Sequence, residues 1–283
     1  MGRNNGFYTV EELRNRMSMS TIVFWKYRPI CEQTLGELAR HGVTRIELVE
    51  SPEQFDMADS QSMRYIGRMC RSCGVEIVAF HAHSTTFASL DTEEKRKAEV
   101  DRCKRQIDSM LECGGSVWGS HAKAMDATLK ESYEELARHV EGTGAAIAIE
   151  NFKAEECWVE KRVAFLDEID HPQVGMILDI GHVRNTEGIN PMTVPGGPTK
   201  VLDACRTRLC WVHLHGFKDD VDHHPPLADG DMIQWIELLR ALRRIGYTRH
   251  INFEPKGEPK HKDTIRETAL VPARLVELEA RTP

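Results

Sequence analysis

Ala145-Ala-Ile-Ala-Ile-Glu150-Asn151 is a short apolar run closed by a carboxylate and an amide. Four other runs end in the same kind of residue: Ile-Leu-Asp179-Ile-Gly-His182, Trp-Val-His213-Leu-His215, Glu-Ile-Val-Ala-Phe-His81-Ala-His83 and Ile-Asn-Phe-Glu254. Hydrophobic runs seldom end in metal-ligand residues five times over. The runs lie tens of positions apart, so only a fold that gathers strand ends at one rim makes them a single site.

Around these runs the chain repeats a unit of helix, Gly or polar turn, and short strand. The predicted strands are Thr21 to Trp25, Thr44 to Val49, Val75 to Ala79, Ser116 to Trp118, Ala145 to Glu150, Val174 to Asp179, Leu209 to His213 and His250 to Glu254. Their starts recur about every 33 residues, the length of a β-α unit. Leu35, Leu38 and Ala39 mark a first helix, and Met63, Ile66, Met69 and Cys70 a second over Ser62 to Ser72. Acidic residues at Asp91-Thr-Glu-Glu open a long third helix that Gly114-Gly115 stops. Ile233, Ile236, Leu239, Leu242 and Ile245 form the clearest stripe, and one final helix runs through Ile265, Ala269, Val271 and Leu275. The strands alternate weakly, as expected when helices cover one face and the other enters a barrel core. Eight such units predict an α/β fold, a (β/α)8 TIM barrel from about residue 20 to 280, in a single domain spanning 1–283. A doubly wound sheet is the alternative, but no Gly-x-Gly-x-x-Gly turn follows the first strand.

Composition narrows the function. A net charge of -7 spread over 283 residues gives no basic footprint for nucleic acid or an anionic membrane, although bound metals supply charge that a residue count ignores. No stretch approaches a membrane span, and the first residues lack the apolar core of a signal peptide. Eight cysteines without a framework pattern read as reduced, cytoplasmic residues, and the Cys70/Cys73 pair reads as structural.

On a barrel, Glu150, Asp179, His213 and Glu254 end four adjacent strands at one mouth. Three carboxylates and an imidazole suit one Mn, Co, Mg or Zn ion. His213 and His215 share a strand face, so either serves as the imidazole ligand, with His213 the choice here. His182, His81, His121, Asp222 and His224 are candidates for a second ion or for substrate oxygens. His182, His83, Trp25 and Lys256 are candidate substrate contacts, with Lys26, Tyr27, Arg28 and Phe87 able to extend the wall beside Trp25.

With these motifs the chain resembles the xylose isomerase-like barrel superfamily, which includes ketose 3-epimerases, sugar isomerases, inosose dehydratases and the endonuclease IV group. The resemblance spans about residues 20–280 and rests on Ile-Glu150-Asn151, Leu-Asp179-Ile-Gly-His182, Val-His213-Leu-His215, His224-Pro-Pro-Leu-Ala-Asp-Gly230 and Phe-Glu254-Pro. It implies a metal-dependent isomerase or epimerase in which Glu150 and Glu254 exchange a proton through an enediolate, on a free carbohydrate substrate, in a homodimer or homotetramer. The endonuclease-like pattern implies instead three Zn ions on His81, His121, Glu150, Asp179, His182, His213, Asp222, His224 and Glu254, with abasic DNA as substrate. Local contexts depart from that pattern: Asp179-Ile-Gly-His182 replaces Asp-Thr-Cys-His, and Gly119-Ser-His121 lacks the His-Pro-Gly continuation.

Overall fold

In the computed structural model, residues 7–25, 27–88, 90–122, 124–151, 159–257 and 263–282 are described. Lys26, named above beside Trp25, lies outside them. Eight parallel strands form the barrel: β1 (Met17–Ser20), β2 (Arg45–Val49), β3 (Glu76–His81), β4 (Val117–Ser120), β5 (Ala146–Glu150), β6 (Val174–Asp179), β7 (Leu209–His213) and β10 (Ile251–Phe253). They are ordered β10-β1-β2-β3-β4-β5-β6-β7. A parallel bridge between Leu214 and Phe253 joins the two ends, with Leu214 N–H donating to Asn252 O at 2.9 Å and Glu254 N–H to Leu214 O at 2.8 Å. This contact brings the two ends of the sheet together as a barrel.

Helices follow the strands: α2 (Glu32–Arg40), α3 (Ser60–Ser72), α4 (Glu93–Cys113), α5 (Ala127–Val140), α6 (Val159–Ile169), α7 (Gly197–Cys205) and α8 (Trp235–Arg244), then α9 (Thr264–Ala269) and α10 (Val271–Arg281). Their ends follow local chemistry. Thr92 caps α4 by accepting from Lys95 N–H, and Gly114 ends it at a left-handed φ of 93°. The predicted final helix is two, because Pro272 at the start of α10 has no N–H to carry the ladder through Leu270. A helix that the periodicity does not announce, α1 (Val10–Arg16), precedes the barrel. Arg16 ties it down, donating to Tyr247 O at 2.7 Å and Arg249 O at 2.7 Å.

Three strand expectations change. Thr21–Phe24 is a 3-10 turn, and the first stave is the less apolar Met17–Ser20. Ser20 ends the stave by accepting from Ile22 N–H, while Ser18 and Asn252 hydrogen bond across the strand pair at 2.9 Å. The third and fourth strands run to His81 and Ser120, each two residues beyond the predicted Ala79 and Trp118.

Alternation sorts each strand. Ile147 and Ile149 face the helix layer, whereas Ala146 and Ala148 join Ile177 and Trp211 in a small interior cluster. The same period of two turns Glu150, Asp179 and His213 inward. After β7 the chain forms a hairpin of β8 (Gly216–Lys218) and β9 (Val221–His224) over the mouth. Asp219 and Asp220 both have positive φ, as a tight hairpin turn needs. Among the described residues, no helix is long and apolar enough to cross a membrane.

Candidate metal centre

Glu150 is the hub. Its Oε2 lies 2.7 Å from His81 Nε2 and 3.2 Å from His121 Nε2, and its Oε1 lies 3.1 Å from His182 Nδ1. His213 Nδ1 is 3.5 Å from Glu150 Oε2 and 3.0 Å from Glu254 Oε2. Asp179 and His213 are register partners, which sets their side chains at one level. Asp179 Oδ1 accepts from the Gly181 and His182 backbone N–H groups at 2.7 and 3.1 Å and lies 3.0 Å from His215 Nε2. Gly119 makes room for the crowding, since a Cβ there would strike Ile177.

The charges shift one another. Burial alone would raise the Glu150 carboxyl, but the charges of His121 and His213 hold it well below the usual range. Glu254 and Asp179 are lowered likewise, against burial, by His213 and by His182 with His215. Burial alone would lower His213 and His182; the carboxylates around them raise both well above an ordinary histidine.

Among the described residues, ligand-type atoms converge in three groups: His81, Glu150 and His213; Glu47, His213 and Glu254; and Asp179, His182 and His223. Two details mark this as a cation site. Asp179 Oδ2 is buried and accepts no hydrogen bond, as is His213 Nδ1, although that nitrogen lies 3.0 Å from Glu254 Oε2. An imidazole nitrogen and a carboxylate oxygen held this close without hydrogen-bond geometry suit a shared third atom. Ligands at about 2.1 Å and right angles to one ion are about 3.0 Å apart. The donor set fits one divalent ion.

The sequence matches the model of the xylose isomerase-like TIM barrel over residues 35–271. The chain belongs to that family. No curated protein matches it. Among solved structures, a D-tagatose 3-epimerase-like protein is 20% identical with a TM-score of 0.71, covering 94% of this chain and 99% of its own. A xylose isomerase-like TIM barrel protein from Mycobacterium smegmatis in complex with magnesium is 15% identical (TM-score 0.73; 96% and 98% covered). An AP endonuclease, family 2, from Brucella melitensis is 16% identical (TM-score 0.68; 90% and 96%). At such identities the likeness concerns the fold.

Within this xylose isomerase-like barrel, a cavity of about 200 Å³ opens above the centre. Glu150, Glu254, His182 and His223 are among its polar lining residues, and Ile22, Trp25, Val49 and Ala82 among its apolar ones. His81, His83, His121 and Lys256 also line it. His215 is buried against Asp179, its Nδ1 accepting from His223 N–H at 2.9 Å. Asp222 approaches through His182, at 3.5 Å from its Nε2. The hairpin presents His223, rather than the predicted His224, to the cavity and to the ligand groups. Phe87 is not a cavity wall: it is buried against Trp118 and Tyr133, at centroid distances of 6.5 and 5.5 Å.

Sequence reasoning missed Glu47, Glu50 and His223. Glu50 accepts from His83 N–H at 2.9 Å and pairs with Arg102, so it holds the loop after β3. His223 has a left-handed backbone, φ 59°, and its ring stacks on His215 at 4.5 Å. Its Nδ1 is 3.0 Å from Glu254 O and donates there, and the residue lines the cavity.

Proposed function

We propose that the chain is a divalent-metal-dependent isomerase or epimerase of a free ketose, aldose or polyol-like sugar, moving a carbon-bound proton through an enediolate. The observation that carries this reading is that two buried carboxylates, Glu150 and Glu254, come from non-adjacent staves to one nitrogen of His213 on the edge of one small cavity. The epimerase-like relative supports it.

In this reading Glu150, Asp179, His213 and Glu254 hold one Mn, Co, Mg or Zn ion. When bound, the ion draws charge from chelated hydroxyl and carbonyl oxygens and lowers the cost of losing a neighbouring carbon-bound proton. Glu150, pinned by His81, removes that proton on one face, and Glu254, steadied by Ser20 Oγ at 3.3 Å, supplies one on the other. His182 turns its ring edge to the substrate and supports developing oxygen charge. The apolar wall of Ile22, Trp25 and Val49 suits the C–H face of a sugar, and His83 and Lys256 suit its hydroxyls. A cavity of about 200 Å³ suits a ligand of monosaccharide size. Loss of a neighbouring hydroxyl after the same proton abstraction would make the reaction a dehydration. The free thiols Cys31, Cys70, Cys73, Cys103, Cys113, Cys205 and Cys210 support a cytoplasmic enzyme.

The test is to incubate metal-loaded protein with a panel of ketoses and aldoses in deuterated water, following label and product mass. Incorporation beside the carbonyl is expected; loss of water from the product would assign a dehydratase. Tight sugar binding with no exchange for any substrate would leave a binding protein instead.

A second reading, zinc-dependent cleavage at abasic sites, has its own observation: His81 and His121 converge on Glu150 Oε2, and Asp179, His182 and His223 form a separate ligand group. It requires about three zinc ions per chain rather than one, and Asp222 with a hairpin histidine among the ligands. Metal quantification on untreated protein separates the two.

A further inference from the structure

Beneath the rim ligands lies a polar column that barrel packing does not call for. Ser18, Glu47 and Asn252 point into the interior and are fully buried, where neighbouring staves supply Ala148, Ile177 and Trp211. Interior positions of such barrels favour branched apolar residues, and a buried carboxylate is costly unless its oxygens are satisfied. Here they are satisfied in a fixed order. Ser18 Oγ donates to Asn252 Oδ1 at 2.9 Å, Asn252 Nδ2 donates to Glu47 Oε2 at 3.0 Å, and His213 Nε2 meets Glu47 Oε1 at 3.0 Å.

The column ends on one nitrogen of His213. As a metal ligand His213 is neutral, and a neutral imidazole carries a single N–H. The Nε2 contact has hydrogen-bond geometry with a carboxylate, which can only accept, so the proton sits on Nε2. The lone pair is then on Nδ1, the buried nitrogen without a hydrogen-bond partner, 3.0 Å from Glu254 Oε2. Glu47 itself sits a step deeper than the rim: it precedes by two residues Val49, whose register partner is His81. Both its oxygens already accept hydrogen bonds.

We infer that Glu47 is a positioning residue, not a metal ligand: through Nε2–H it fixes the tautomer and ring direction of His213 so that Nδ1 is the ligating atom. Ser18 and Asn252 hold Glu47 in turn. The inference rests on the proposed role of His213 as a ligand. Partners of this kind on the far nitrogen of a ligating histidine typically govern affinity by about 10–100-fold.

The test uses the full chain loaded with Co(II), comparing wild type with Glu47→Gln and Glu47→Leu. Two readouts are taken: Co(II) affinity by chelator competition, and the hyperfine-shifted imidazole N–H resonances, assigned by 15N-histidine labelling. Wild type is expected to show a slowly exchanging Nε2–H signal from His213. Glu47→Leu should lose that slow exchange and bind Co(II) about 10–100-fold more weakly. Glu47→Gln, whose amide oxygen still accepts, should recover most of the affinity with a shifted resonance. If Glu47→Leu does not fold, judged by circular dichroism, the shift in Glu47→Gln decides. Wild-type affinity with an unchanged Nε2–H signal in the folded variants overturns the role of Glu47 while leaving the metal centre standing. A wild-type chain that takes up no Co(II) overturns both.

Discussion

Asn151 and Asp179 are bound reciprocally: Asn151 Nδ2 donates to Asp179 O at 2.9 Å, and Asp179 N–H donates to Asn151 Oδ1 at 2.8 Å. The β5–β6 register ends at Glu150 and Ile177, so the Asn151 side chain acts as one more rung and fixes Asp179 relative to Glu150. Asn151→Ala leaves a buried carbonyl and a buried N–H unsatisfied, which costs about 2–4 kcal/mol. Urea unfolding of the metal-free protein should show the loss as a lower midpoint, together with weaker metal binding. An unchanged midpoint would show that the clamp is not structural.

Glu150 and Glu254 are expected to fail differently from a general loss of folding. In Glu254→Gln, interconversion should fall by about 10²–10⁴-fold. Glu150 still reaches one face of the substrate, so one epimer of a substrate pair should keep exchanging its proton with deuterated water without being converted. Glu150→Gln should show the converse, on the other epimer. Equal loss of exchange from both epimers in both variants would sink the two-carboxylate scheme.

Protons and a metal ion compete for the same atoms. In the metal-free chain burial disfavours charged His213 and His182, but the surrounding carboxylates outweigh it and raise both. A raised folded value means that their stabilisation is full below about pH 6.5 and is lost as pH rises through the folded value. Glu150 and Glu254 are lowered, so their contribution is present above about pH 4.3 and is lost on acidification through the folded values. The metal-free melting temperature should therefore fall from pH 6.5 towards pH 9, while metal affinity rises over the same range with proton release. Calorimetry in two buffers of different ionisation enthalpy measures that release; pH-independent affinity would contradict it.

How much of this was legible depended on which face a residue uses. The staves ending in Glu150, Asp179 and His213 announce themselves because an apolar run ends at the rim. Glu47 does not, because Arg-Ile-Glu-Leu-Val reads equally as a strand with one solvated carboxylate, and only the barrel turns that face into an interior. The first stave was missed because Met-Ser-Met-Ser is less apolar than Thr-Ile-Val-Phe, yet its serines serve Asn252 and Glu254 across the seam. His223 was passed over because the endonuclease-like pattern names Asp222 and His224 in this segment, and nothing in the sequence announces the left-handed backbone of His223.

The thiols should separate by environment. Cys31, half-buried at the start of α2, is lowered by hydrogen bonding with Thr34, chiefly from the backbone. Burial pushes Cys70, Cys205 and Cys210 up to about 12. Since the thiolate is the nucleophile, brief iodoacetamide treatment near pH 7.5 should modify Cys31 ahead of these three. Peptide mass mapping reads the order, and early labelling of Cys205 or Cys210 would contradict the packing.

Gly181 tests whether the hairpin and the metal centre are one mechanical unit. It follows Asp179 by two residues and donates its N–H to Asp179 Oδ1. A Cβ there would overlap the His215 ring and come within 2.8 Å of Asp222 Cβ. Neither can yield cheaply. His215 is held between Asp179 and His223 N–H, and Asp222 belongs to a hairpin fastened by Asp231, which accepts from Phe217 and Leu227 N–H and from Trp235 Nε1. Overpacking of this kind costs about 1–3 kcal/mol. Gly181→Ala should thus lower the melting temperature and weaken metal binding together, as His215 is driven off Asp179. Adding His215→Ala empties the contested space, so the double variant should regain part of the stability without regaining the affinity. If Gly181→Ala instead binds metal as wild type does, the hairpin moves independently of Asp179, and His223 reaches the cavity without help from His215.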